Sequence, residues 1–151
     1  MSIAKLCRKS AVTIREGDDL DTAARVMREK HVGYLIVVKP RVIDGSLVPV
    51  GVLTDRDIVV KVLAPQVDLR KLKVGDVMTQ QPAMVTETDE LNDALGIMRK
   101  IGVRRLPVIS SGGQLIGVLS MDDILDVLAE ELSNVAGSIR RAQDLESALV
   151  P

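Results

Sequence analysis

Aromatic side chains are almost missing. The 151 residues include one Tyr and neither Phe nor Trp. The chain therefore lacks the usual platforms on which proteins stack single-stranded bases. Charge of one sign is not in excess either. Formal charge is −1 at neutral pH, so no global field draws in nucleic acid or an anionic membrane, and neither is an expected partner. The longest apolar runs, such as Leu35 to Val38, fall far short of the ~20 residues that span a bilayer. There is a single cysteine, Cys7, and no secretion-signal pattern. That excludes a disulfide framework and points to a reducing, cytoplasmic setting. Aliphatic residues are plentiful. The chain is 46% hydrophobic with a mean hydropathy of +0.20, enough for a sizeable core in one domain or two half-size units.

The sequence is written twice. Gly51-Val52-Leu53-Thr54-Asp55-Arg56-Asp57-Ile58 returns as Gly117-Val118-Leu119-Ser120-Met121-Asp122-Asp123-Ile124, at an offset of 66 residues. Upstream the offset is 71: Ile3 pairs with Val74, Leu6 with Val77, Cys7 with Met78, Met27 with Met98 and Leu35 with Leu106. The five extra residues fall in Lys39 to Ser46, against Ser110 to Gly113 in the second copy. Surface loops tolerate such insertions best. A period near 70 residues is too long for a solenoid unit. It predicts two small subdomains sharing one core: repeat one over residues 1–64, a linker at 65–73, repeat two over 74–132 and a C-terminal extension at 133–151.

Each repeat reads as β-α-β-β-α. Extended pieces at Ala11–Ile14 and Ala83–Thr86 lead into helices carrying Leu20, Ala23, Ala24 and Met27, or Leu91, Ala94, Leu95 and Met98, the spacing of an amphipathic helix. Gly33 and Gly102 follow these helices, where a left-handed cap residue is expected. Buried strands at Tyr34–Val38 and Leu106–Ile109 come next. Second strands at Val48–Leu53 and Leu115–Leu119 then feed helices at Asp55–Leu63 and from Met121 onward. The expected class is α/β (α+β), with the two units packed sheet to sheet. The last helix keeps an apolar stripe through Leu125, Leu128, Leu132, Val135, Ile139, Ala142, Leu145 and Leu149. Such a stripe must be buried, inside the molecule or against another subunit.

The repeated hydroxyl-x-x-carboxylate at a helix start is also the pattern of an N-terminal capping box, and Thr86-x-x-Asp89 shows the same spacing. What distinguishes Thr54 and Ser120 is that each ends a Gly-Val-Leu strand, at the carboxyl edge of a sheet. Ligands of open α/β sheets bind there, and free N–H groups suit an anion such as phosphate. A hydroxyl donates to phosphate or ribose; a carboxylate accepts both ribose hydroxyls. Gly51 and Gly117 permit close approach of another group.

On these motifs, with Val32–Val38, Val103–Ile109 and the leader Val74-Gly75-Asp76-Val77-Met78, the chain resembles a tandem pair of CBS (cystathionine β-synthase-type) domains of the bacterial and archaeal standalone kind, over about residues 3–132. The resemblance implies a pseudo-two-fold pair with two clefts between the repeats, holding adenosyl ligands: AMP, ADP or ATP, S-adenosylmethionine, or NAD. It also implies a homodimer. Carried over, one cleft combines Val52, Thr54 and Asp57 with Ala83, Val103 and Arg104; Asp57 takes ribose, Thr54 phosphate, and Arg56 and Arg104 neutralise charge. The other combines Val118, Ser120 and Asp123 with Val12, Val32, Gly33 and Tyr34. There Asp122 stands for Arg56 and Gly33 for Arg104, so this cleft is expected to lack both cations. Strand alternation is expected to let only one of Arg104 and Arg105 line a cleft.

No nucleophile–base pair is visible, so an enzyme is not expected and no residue is assigned to catalysis. His31 stands alone with no metal-ligand spacing, and reads as a helix-end residue. Cys7, aligned with Met78, reads as a small core hydrophobe. No obligatory cofactor is called for. The expected function is a regulatory, energy-sensing module whose output acts in trans on an effector protein. The alternative is a ligand-free oligomerisation scaffold.

Overall fold

The repeats do not each build a complete unit; they exchange their leading segments. The computed structural model describes residues 1–150. Its elements are α1 (Ile3–Leu6), β1 (Thr13–Arg15), α2 (Leu20–Lys30), β2 (Tyr34–Pro40), β3 (Leu47–Thr54), α3 (Asp55–Ile58), α4 (Val74–Val77), β4 (Thr79–Gln80), β5 (Val85–Thr86), α5 (Leu91–Ile101), β6 (Arg105–Ile109), β7 (Leu115–Ser120) and α6 (Met121–Leu149). One sheet runs β1-β2-β3-β4 and the other β5-β6-β7. In both, the first pair is parallel and the next antiparallel, as the β-α-β-β order requires. The α/β class and its extended terminal helix are as the sequence predicts.

The interior differs from the single shared core expected. It divides into two clusters. One holds Leu20, Ala23, Met27, Leu35, Val37 and Leu53 of the first repeat, together with Val74 and Val77 of α4. The other holds Leu91, Ala94, Met98, Leu106, Val108, Leu119 and Ile124 of the second repeat, with Ile3 and Leu6 of α1. Each short leader helix is thus buried in the other repeat's core. The backbone repeats the exchange at the 71-residue offset. Val74 N–H donates to Asp18 O at 2.9 Å and Gly75 N–H to Glu16 O at 2.8 Å, while Ile3 N–H donates to Asp89 O and Ala4 N–H to Glu87 O, both at 3.2 Å. The opposite face of β2 is covered too: Ile36 and Val38 are buried, and β3 touches β7.

Three local expectations change. The left-handed residue closing α2 is His31 (φ 54°), not Gly33, whereas Gly102 (φ 70°) closes α5 as predicted. A polar residue without β-branching tolerates that conformation, and the α2 chain turns two residues early. The helix after β3 is α-helical only to Ile58 and continues as a π turn over Val59–Leu63. That stretch is rich in β-branched residues, which crowd the preceding turn of a regular helix. The insertion loop is not wholly free: Arg41 donates to the carbonyl of Gly112 in the other repeat's hairpin.

Gly51 and Gly117 are approached by the exchanged leaders themselves. A Cβ on Gly117 would lie 2.2 Å from the Arg8 carbonyl oxygen, and one on Gly51 2.4 Å from Met78 Sδ. Beside Gly117, Arg8 and Val118 exchange two backbone hydrogen bonds of 2.9 Å; beside Gly51, β4 pairs Thr79 with Val52. Gly117→Ala must push backbone away from backbone, so it is expected to destabilise by about 1–3 kcal/mol or more. Gly96→Ala, inside α5 with nothing within 4 Å of the added methyl, is expected to stabilise by about 0.5–1 kcal/mol. Urea unfolding of both variants checks the contrast.

Candidate functional site: two clefts with one shared wall

The two hydroxyl–carboxylate pairs are helix caps. Thr54 Oγ1 accepts from Asp57 N–H at 3.1 Å and Asp57 Oδ2 accepts from Thr54 N–H at 3.0 Å. Ser120 Oγ accepts from Asp123 N–H at 3.1 Å. The third copy of the spacing is different in kind. Asp89 accepts from Thr86 N–H, but α5 is capped at Glu90, so Thr86–Asp89 closes a turn before the helix. Capping leaves the Thr54 hydroxyl hydrogen free, whereas Ser120 spends its own on Asp123. Both sit where a strand ends beside the other repeat, and a cavity opens in front of each.

The first cleft has a volume of about 540 Å³ and is lined by Val52, Thr54, Arg56 and Asp57 together with Ala83, Val103 and Arg104. The second, about 490 Å³, is lined by Val118, Ser120 and Asp123 together with Val12, Val32, Gly33 and Tyr34. Every residue carried over from the motifs therefore lines the cleft to which it was assigned. Both volumes suit a small organic ligand.

Sequence reasoning missed Lys61 and Arg8, and it placed neither Arg105 in a cleft nor Tyr34 in the first one. Arg105 lines both clefts, as does Tyr34. The two are repeat-equivalent at the 71-residue offset, and the Arg105 guanidinium lies 5.8 Å from the Tyr34 ring centroid, a cation–π pair. They form a wall between the clefts. Arg104 also lines the first cleft, contrary to the one-arginine expectation, because β6 begins only at Arg105 and alternation does not reach Arg104. Lys61, one turn past Asp57, holds Asp57 Oδ1 at 3.1 Å and donates to the Val77 carbonyl of α4 at 3.0 Å. Arg8, on the leader crossing Gly117, reaches Asp123 Oδ1 at 2.6 Å.

Arg8 corrects the electrostatic expectation. The second cleft loses the counterparts of Arg56 and Arg104 but gains Arg8 and Lys30. Arg56, Arg104 and Arg105 face Asp55 and Asp57 in the first cleft; Arg8, Lys30 and Arg105 face Asp122 and Asp123 in the second. The balance of charge is the same. The difference is in who holds the carboxylate. Asp123 is bound on both oxygens, by Arg8 and by the Ser120 hydroxyl, which donates to Oδ2 at 2.6 Å. The Thr54 hydroxyl only accepts from Asp57 N–H, so its hydrogen is available. Arg104 is itself paired with Asp122 at 3.1 Å, an exposed pair of small intrinsic worth.

The sequence model of the CBS domain matches residues 3–64 and 74–130. The chain belongs to the CBS domain family. A CBS domain protein from Pyrobaculum aerophilum, solved in complex with AMP, is 25% identical, has a TM-score of 0.70, and is matched over 82% of this chain and 89% of its own. Hypoxic Response Protein I, solved with two coordinated zinc ions, is 30% identical with a TM-score of 0.69 over 83% of this chain and 98% of its own. An uncharacterized protein of Methanopyrus kandleri is 30% identical over 95% of this chain and 71% of its length. In this CBS pair, no group of three or more His, Cys, Asp or Glu among the described residues is placed to hold a metal ion. No helix among them is long and apolar enough to cross a membrane. Cys7 packs half-buried against the second core, and burial pushes its thiol up, away from the reactive thiolate.

Burial also pushes the Tyr34 phenol well above its usual value, with the Arg105 charge opposing in part. An acid raised on folding stabilises the protein at low pH, and that contribution is lost as pH climbs from about 10 through the folded value. Tyr34 is the only tyrosine and there is no tryptophan, so the tyrosinate ultraviolet band reports this wall alone. At a pH of about 10 the native protein is expected to show little of the band and the denaturant-unfolded protein about half. Equal bands in the two states would contradict a Tyr34 phenol partly withdrawn from water.

Proposed function

We propose that this CBS pair is a regulatory module that binds an adenosyl nucleotide, AMP, ADP or ATP foremost, in the clefts between its repeats. The observation that carries the reading is the pairing of a free hydroxyl and a carboxylate, Thr54 and Asp57, at one mouth of a cavity whose far side is the apolar Ala83 and Val103 of the other repeat. The arrangement suits adenosine. Apolar residues take the base, Asp57 accepts the ribose hydroxyls, Thr54 donates to phosphate, and Arg56 and Arg104 supply charge-assisted hydrogen bonds. The AMP complex of the Pyrobaculum relative supports the same ligand class. Because the lining comes from both repeats, a ligand bridges them and favours one arrangement of the pair, which a partner protein can read.

The two clefts are expected to differ in affinity. Binding in the second requires the Ser120 hydroxyl to leave Asp123 or Asp123 to leave Arg8; in the first Asp57 is also held on both oxygens, by Lys61 and the Thr54 N–H, but the Thr54 hydroxyl hydrogen is already free for a ligand. The Thr54–Asp57 cleft is therefore the tighter one. Calorimetric titration with AMP checks this. Asp57→Ala is expected to weaken the tighter site at least tenfold, about 1.4 kcal/mol. Asp123→Ala is expected to leave that site unchanged. The reverse pattern would sink the assignment. A ligand selective for the folded protein must also raise its melting temperature, by an amount equivalent to about 2.7 kcal/mol at a hundredfold excess over Kd. A panel of AMP, ADP, ATP, NAD and S-adenosylmethionine with no stabilisation by any would favour a ligand-free scaffold instead.

A further inference from the structure

Asp57 and Asp123 each hold one cation, but the two repeats draw it from different places. For Asp57 it is Lys61, one turn further along the same segment. The repeat counterpart of Lys61, 66 residues on, is Val127, packed against the second core. For Asp123 the cation is Arg8, on the leader that crosses from the other repeat. The counterpart of Arg8, 71 residues on, is Thr79. Each carboxylate thus has a cation on the side where its counterpart has none.

The two placements are not equivalent. Lys61 also donates to the Val77 carbonyl, and the first cleft is lined by Asp57 but not by Lys61. The lysine stands behind its carboxylate. Arg8 lines the second cleft itself. Its Nε and Nη2 both lie 2.6 Å from Asp123 Oδ1, while the Ser120 hydroxyl donates to Oδ2 at 2.6 Å. The Asp123 side chain is only 12% exposed and that of Arg8 is 66% exposed. The carboxylate is fixed, and the guanidinium is free to swing. The Arg8 backbone need not follow it, because its N–H and carbonyl are both bonded to Val118 at 2.9 Å. The other arginine of this cleft, Arg105, lines both cavities and cannot set one apart from the other.

A ligand that uses Asp123 must therefore find new acceptors for two donors at once. A phosphate group supplies them. Arg8 and Ser120 stand on the two oxygens of one carboxylate, so an anion that takes the Ser120 proton lies a carboxylate's breadth from the guanidinium. Charge-assisted hydrogen bonds to phosphate then replace those to Asp123, and both Asp123 oxygens are released for ribose hydroxyls. An uncharged nucleoside has no comparable acceptor and must strip both donors away unreplaced. The first cleft makes no such demand, since the Thr54 hydroxyl hydrogen is free. We infer that Arg8 is a phosphate-operated latch that sets the specificity of the second cleft: it holds Asp123 when the cleft is empty and passes to phosphate when a nucleotide binds. The inference rests on the adenosyl reading of the clefts and deepens it, because the second cleft then separates AMP from adenosine more steeply than the first.

Calorimetric titration with adenosine and with AMP tests this. An Asp57→Ala background leaves the second cleft as the tighter site. The otherwise wild-type chain is titrated as well, where the weaker of two binding events reports the same cleft even if the background folds poorly. Arg8→Gln is expected to move the two ligands in opposite directions. Adenosine gains affinity because the carboxylate is unlatched, AMP loses it, and the preference for AMP falls by about tenfold or more. Arg8→Lys, which keeps the charge, is expected to retain part of the preference. A mere structural tie between the leader and α6 would instead shift both ligands alike and lower the melting temperature. Such a parallel shift, or a second cleft that binds neither ligand while the first binds AMP, overturns the latch and leaves the nucleotide reading standing. A wild-type chain that binds neither ligand in either cleft overturns both.

Discussion

Everything in this CBS pair depends on one backbone crossing made twice. Arg8 lies across Gly117, and Met78–Thr79 lies across Gly51, each time as the leader of one repeat passing over the second strand of the other. The crossing closes the edge of a sheet and delivers two apolar side chains to a core that lacks them. It also brings the segments that follow the leaders to the clefts, Val12 to the second and Ala83 to the first. A side chain as small as a methyl has no room at Gly117 because the nearest atoms are main chain. The glycines are structural conditions for the clefts, although neither need touch a ligand.

Much of this was legible in the sequence, for identifiable reasons. Residue types at repeat-equivalent positions fix local structure, so the strands, the amphipathic helices and the hydroxyl–carboxylate caps at Thr54 and Ser120 could be read directly. The cleft lining was legible through the family resemblance, and each carried-over residue lines its cleft. The exchange of leaders was not legible. Pairing Ile3 with Val74 by offset says that they are equivalent, not where either is buried. The same gap hid Arg8. It is far from Asp123 in sequence, and only the crossing at Gly117 brings the two together. Judging the second cleft by the counterparts of Arg56 and Arg104 therefore gave the wrong charge balance. His31 in place of Gly33 was missed because glycine is a common helix stop, not an obligatory one.

The clefts are two readings of one design. Their charge is balanced alike and both carboxylates are held on both oxygens, yet Ser120 spends its hydroxyl hydrogen on Asp123 while that of Thr54 stays free. They also share the Tyr34–Arg105 wall, which stands between equivalent positions of the two repeats. A ligand that displaces this wall from one side alters the neighbouring cavity. Thermodynamic linkage then makes any resulting coupling reciprocal: what the first ligand does to the affinity of the second, the second does to the first. Duplication here produced neighbours and not independent copies.

The exchange has a consequence for how the molecule is made. During synthesis the first repeat cannot close its core until Val74 and Val77 have left the ribosome, well after its own last strand. Ile3 and Leu6 emerge before the segments from Val85 to Ile124 that build their cavity, so they are among the last residues to be placed. The contacts that finish the fold are thus of long sequence separation, the kind that slows folding. Until they form, the nascent chain carries an open sheet edge at each end. The symmetry that gives the finished protein two clefts leaves the core of each half short of two apolar side chains until the other half is made.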